Sequence, residues 1–182
     1  RAEKLYLLQC LAIEYYQRGS NEEARKTYEE MLAIAPNHLL ALNNLAYLLM
    51  DRLNDPESAL PYATRAVHMV PTDANILDTV GWNHVLLGSY ETGIAALRRA
   101  ISQKDKAAAI HYHAAEAFYR WANAPDTPAT TRELNLREAE IECRRAYDLI
   151  QQAGADHEEV FDKVLSLGEK LGLRLDPKLG PR

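Results

Sequence analysis

A small residue recurs along the chain at Ala12, Ala46, Gly81 and Ala115, at spacings of 34, 35 and 34 residues. A second series, Ala24, Ala59, Gly93 and Ala139, runs at 35, 34 and 46. Independent helices would not hold two such series in step, so the chain is limited to a stack of one repeated supersecondary unit. That unit is most fully written at Ala74 to Ala107. Leu77, Val80, Gly81 and His84 fall at i, i+3, i+4 and i+7 and share one helical face. Gly88 suits the positive φ of a sharp helix end, while Gly81, Gly93 and Ala100 are small where two helices would meet. A helix pair cannot bury both its faces alone, so neighbouring pairs stack around one long core. The expected fold is all-α: a right-handed αα superhelix (solenoid) of about four helix-turn-helix repeats plus a C-terminal capping helix.

The boundaries follow from the punctuation. The repeats are expected at 5–38, 39–73, 74–107 and 108–153, in one array over 1–172. Gly19 stops the first helix, and Pro36 and Pro71 close two of the second helices, because Pro lacks the N–H that would continue them. Asp55-Pro56-Glu57 reads as a helix start with Pro at the first turn. Pro61 predicts a kink or a delayed regular start. The spacing of 46 implies an insertion of about 12 residues near 122–133. That stretch is rich in Pro, Thr, Ala and Asp and reads as a long turn, with the helix resuming near Glu133 and ending at Gly154. A cap helix is expected at about 156–172, with Glu158, Glu159, Lys163, Glu169 and Lys170 facing water, and residues 173–182 read as a tail.

Hydrophobic residues make up 47% of the 182, enough to bury a core. The formal charge of −5 argues against a nucleic-acid or anionic-membrane surface. No apolar run is long enough to insert into a membrane. Cys10 and Cys143 sit in apolar helical patterns and read as two reduced core thiols. The chain begins at Arg1, which marks it as a soluble fragment, with cytoplasm and periplasm both open.

These residues resemble the tetratricopeptide repeat (TPR) family. Its large, Leu, small and aromatic series is matched by Leu8, Leu11, Ala12, Tyr15, again by Leu42, Leu45, Ala46, Leu49, and again by Leu77, Val80, Gly81, His84. The second-helix motif is matched by Ala24 and Tyr28, and the closing proline by Pro36 and Pro71. The departures are Asp105 and Gln151 at the proline position and one extra residue before Ala59. The resemblance implies a non-catalytic protein–protein interaction scaffold whose first helices line a concave groove for a peptide or partner protein.

In that register the groove would carry Tyr6, Gln9, Ile13 and Tyr16 from the first repeat, and Asn43, Asn44, Tyr47 and Met50 from the second. The third would supply Asp78, Thr79, Trp82 and Leu86, and the fourth Tyr112, His113, Glu116 and Tyr119. Rings supply contact area and amides bond a peptide backbone, so this face suits an extended peptide. The alternative is that the aromatics pack against adjacent helices or against the fragment's missing neighbours. Some relatives by resemblance grip a chaperone's terminal carboxylate with two Lys, two Asn and an Arg. The corresponding positions here are Gln9, Ile13, Asn44, Asn75 and Thr79, and only Asn44 matches, so that ligand class is not expected.

No catalytic residue, metal or cofactor is expected. His111 and His113 lie two apart on a helix and point about 200° from one another, a poor pair of ligands. His84 reads as a core residue with one hydrogen bond. Two other functions stay open: self-association into a dimer, through the edge near Arg1 or the fourth-repeat insertion, and service as an accessory domain of a larger enzyme.

Overall fold

The structure is a computed structural model that describes residues 2–153 and 158–178. Among the described residues there are nine helices: α1 (Ala2–Gln17), α2 (Asn21–Ile34), α3 (Leu39–Asp51), α4 (Pro56–Met69), α5 (Ala74–Leu86), α6 (Tyr90–Gln103), α7 (Ala108–Ala122), α8 (Ala129–Ala153) and α9 (Glu158–Lys170). Each odd helix pairs with the even helix after it, and each even helix packs on the odd helix that follows. In addition α3 meets α5, α5 meets α7 and α7 meets α9. First helices thus touch across repeats, which places them on the tight, concave side of the stack.

The repeated turns have repeated causes. The residue five before each small second-helix residue takes positive φ in three repeats: Gly19 at 75°, Asn54 at 52° and Gly88 at 78°. Asn is the usual substitute for Gly there. Asp55 caps α4 by accepting from the Ser58 N–H at 3.1 Å, with Pro56 at the first turn. Asp73 caps α5 by accepting from Asn75 and Ile76 at 2.9 and 3.1 Å. Between repeats, Ala35, Val70 and Lys104 donate back to Met31, Ala66 and Ala100. The turn at Asp105 therefore needs no proline. Arg65 on α4 reaches Asn37, and Arg99 on α6 reaches the Pro71 carbonyl, so α4 and α6 are each tied to the turn one repeat back.

Packing explains the small residues. A Cβ on Gly93 would lie 2.6 Å from Val85 Cγ2 and 2.7 Å from the Gly81 carbonyl oxygen. No side chain fits there, and α5 and α6 touch backbone to backbone.

Four expectations change. Pro61 lies inside an α4 that starts regularly at Pro56, so the start is not delayed. The fourth-repeat insertion is mostly helix rather than turn: α8 begins at Ala129, and Arg132 donates to the Pro128 carbonyl at 2.8 Å. Cys10 is exposed, because its position on α1 faces away from the neighbouring helices; Cys143 alone is a core thiol. The segment after α9 is not loose up to residue 178. Leu173 and Leu175 pack on the last core cluster, and Tyr147 and Gln151 donate to the carbonyls of Asp176 and Lys178. Gly154 lies outside the described residues.

Candidate functional site

The concave wall divides into a filled part and an open part. The filled part centres on His113 of α7. Its Nδ1 lies 2.8 Å from Asp78 Oδ1 on α5, and its ring stacks on Trp82 with centroids 4.9 Å apart and planes 15° off parallel. Tyr47 and Tyr112 flank the same ring at 6.5 and 5.6 Å. The Arg120 guanidinium sits 5.3 Å from the Trp82 ring and pairs with Glu116 at 2.8 Å. Thr79 bonds the Asn75 carbonyl one turn back. Asp78, Thr79, Trp82, His113 and Glu116 are all buried. Met50 is buried as well, and Leu86 packs half-buried against the core. Burial drives the Tyr112 phenol well above its ordinary pKa, helped by Glu116. This stretch is buried wall rather than open surface.

α9 extends the filled part. Lys163 reaches Asp51 on α3 at 3.2 Å, and the Lys170 ammonium lies over the Tyr119 ring at 5.9 Å. Phe161 stacks on Tyr147 of α8. The last helix is therefore more than a polar end-piece, since it also fixes the rim of the groove.

The open part lies between α1 and α3. Ile13, Tyr16 and Gln17 face Asn44 and Tyr47 across a cleft of about 270 Å³, with Tyr28 of α2 as its floor. Asn44 Nδ2 donates to the Tyr28 hydroxyl at 3.3 Å. Burial raises the Tyr28 pKa, against the pull of that bond, so the phenol stays protonated. The Arg52 guanidinium covers one face of Tyr16 at 5.2 Å. Of the expected groove residues, then, Ile13, Tyr16, Asn44 and Tyr47 converge on one cleft. Gln9 and Asn43 are half-buried beside it, and Tyr6 stands out in solvent, 65% exposed. Two participants were missed. Tyr28 reads from the sequence only as inner-face packing, and Gln17 lies one turn past Ile13 on the same face of α1.

The two histidines of the metal reading point at different helices. His113 faces α5, whereas His111 places Nδ1 2.5 Å from Glu142 and Nε2 2.9 Å from the Asp105 carbonyl. Both partners are acceptors, so the doubly protonated ring satisfies both. Burial pulls its pKa down, but these bonds outweigh it and hold it above the ordinary value. His84 is half-buried and lines an outer cleft with Val67, Leu77, Val80 and Arg99, where burial lowers its pKa. Among the described residues, no three His, Cys, Asp or Glu side chains are grouped to hold a metal ion, and no helix is long and apolar enough to cross a membrane.

Known proteins place this architecture. A TPR repeat-containing protein of Pseudomonas aeruginosa is 29% identical over 101 residues, 56% of this chain. A thermophilic TPR protein of Thermus thermophilus superposes with a TM-score of 0.74 at 18% identity, over 92% of this chain and 83% of the other. The chain has the tetratricopeptide repeat fold. MamA shares this TPR arrangement at a TM-score of 0.62 and 20% identity, over 97% of this chain and all of the other. YrrB, described as a TPR protein with an unusual peptide-binding site, superposes at 0.61 and 20% identity, over 87% of this chain and 71% of its own. No family model matches the sequence. The chain spans 17% of the length of the Pseudomonas relative.

Proposed function

We propose that this TPR array is a non-catalytic scaffold that binds an extended peptide of a partner protein, and that the peptide enters at the α1–α3 cleft. The observation that carries this reading is the convergence of Ile13, Tyr16, Gln17, Tyr28, Asn44 and Tyr47 on one cleft, next to a stretch of wall where Asp78, Thr79, Trp82, His113 and Glu116 are buried. Three phenol rings and one aliphatic side chain would hold an apolar side chain of the peptide, and Asn44 and Gln17 would bond its backbone. Asn44 is already oriented by Tyr28, which lowers the cost of ordering it on binding. The groove residues further along, Trp82 and His113 among them, act here as the support that fixes the wall. Tyr112 and Tyr119, half-buried under the influence of α9, belong to the same support.

Selection of peptides from a random displayed library on the immobilised chain tests this. Selected peptides are expected to bind Asn44→Ala about three- to tenfold more weakly than wild type, the worth of one hydrogen bond, with unchanged thermal stability. Peptides that bind both proteins equally, or no selected peptide at all, would remove the cleft from the account.

A further inference from the structure

Two positions set the third repeat apart from its neighbours. The repeat spacing makes Leu49, His84 and Phe118 equivalent, and likewise Tyr62, Ala96 and Glu142. Leu49 and Phe118 are buried. Tyr62 packs against the cluster of Leu42, Ala66 and Ile76, beside Leu32 of α2. Glu142 pairs with His111 on α7. In both neighbouring repeats the second helix thus sends a large side chain inward at this position. In the third repeat Ala96 sends only a methyl group, and a histidine replaces the apolar residue.

Both changes open onto one place. A cleft of about 520 Å³ lies between α4 and α6, with Leu77, Val80 and His84 of α5 as its floor. Val67 lines one side, and Ala96 and Arg99 line the other. Its walls are internal helices: α4 packs on α3 and α5, and α6 on α5 and α7. Its exposure therefore does not depend on either end of the chain, since further repeats would stack along the axis of the array.

The cleft is missing what Tyr62 provides one repeat earlier, a flat ring over an aliphatic floor. His84 adds a polar partner for that ring. Burial lowers its pKa, so the half-buried imidazole is neutral and offers one donor and one acceptor nitrogen. Among the described residues its ring has no hydrogen-bond partner. Glu91 and Arg99 stand at the mouth, and neither makes an ion pair among the described residues. Arg99 gives one N–H to the Pro71 carbonyl and keeps the others free for an anion. The two charges are eight residues apart, about 12 Å along α6, a span that about four residues of extended chain cover.

We propose that the α4–α6 cleft is a second docking site, which takes a tyrosine presented by an extended segment of a partner protein. The ring lies on Leu77 and Val80, and its hydroxyl donates to His84. A basic residue of the segment meets Glu91 and an acidic one meets Arg99, so the opposite charges of the mouth select the segment and its direction. The site is separate from the α1–α3 cleft, and either can fail without the other.

Titration of the isotope-labelled chain with a capped pentapeptide tests this, with tyrosine at the centre of the peptide and lysine and glutamate at its ends. Shifts are expected at Leu77, Val80, His84 and Thr92, with a Kd of ~1 mM, while Ile13 and Asn44 stay unchanged. Alanine at the centre of the peptide should weaken binding at least about tenfold. Ala96→Tyr refills the cleft from within, as Tyr62 does, and should abolish binding without lowering Tm. His84→Leu copies the second repeat and should weaken binding about three- to tenfold; it keeps the test decisive if Ala96→Tyr folds poorly. Binding that both variants leave unchanged, or shifts that avoid the cleft up to about 10 mM peptide, would overturn the site. Binding of free p-cresol without binding of the peptide would overturn the partner's tyrosine as the occupant.

Discussion

Lys163 closes on Asp51, Nζ to Oδ1 at 3.2 Å, across 112 residues of chain. The contact is possible only because α3, α5, α7 and α9 curl along one inner wall. It ties the last helix to the second repeat. The open α1–α3 cleft lies at the other end.

Trp82 should therefore report on folding before it reports on ligand. Its indole is 8% exposed, stacked on His113 and covered by Arg120. Trp82→Ala is expected to cost about 3–5 kcal/mol, a fall in Tm of roughly 10 °C, seen by circular dichroism without any peptide present. A Tm within about 2 °C of wild type would mean that the ring carries no packing load.

The two glycines of the third repeat should separate cleanly. Gly93→Ala drives a methyl into Val85 and the Gly81 carbonyl, with backbone on one side that cannot swing away. Gly88→Ala meets nothing within 4 Å and suffers only from its φ of +78°. Thermal melts should show Gly88→Ala losing about 1 kcal/mol and Gly93→Ala about 2–3 kcal/mol or more. Equal losses would contradict the backbone contact of α5 with α6.

His111 makes the α7–α8 contact depend on pH. Its pKa is raised in the folded chain, so its contribution is complete below the ordinary histidine value of ~6.5. It fades as pH rises through the higher folded value. The neighbouring Arg145 opposes the shift, and Glu142 and the Asp105 carbonyl support it. The difference in Tm between wild type and His111→Gln should shrink from ~pH 6 to ~pH 9. A difference that is flat or grows with pH would place the neutral ring in the folded state.

The two thiols should differ in reactivity. Burial first of all pushes the Cys143 pKa up to about 11, and its sulfur points at the Val164 carbonyl. Cys10 is exposed. A thiol reagent at neutral pH should label one cysteine in the native chain and two in denaturant; rapid labelling of both in the native chain would contradict a closed α8–α9 core.

The repeat could be read from Ala12, Ala46, Gly81 and Ala115 because burial at a helix crossing permits only small residues, and that constraint recurs with the unit. Pairing, turn positions and the Gly81–Gly93 contact follow from it. What the pattern could not rank was the second face. Tyr47 and Trp82 occupy equivalent-looking positions, yet one borders a cleft and the other is buried. The difference comes from residues distant in sequence, since His113 arrives from α7 and Arg120 from further along the same helix. Periodicity records which way a side chain points, not which neighbour fills the space in front of it. The helical insertion was hidden for a related reason: Pro128 and the threonines after it read as turn, but Pro is also at home at a helix start.

The central claim is that ligand enters between α1 and α3. Chemical-shift mapping of a selected peptide on the isotope-labelled chain addresses it most directly. The account predicts the largest shifts at Ile13, Tyr16, Gln17, Asn44 and Tyr47, with Trp82 and His113 changed little. Shifts clustered instead around Val67, His84 and Arg99 on the outer face, or along α9, would contradict it.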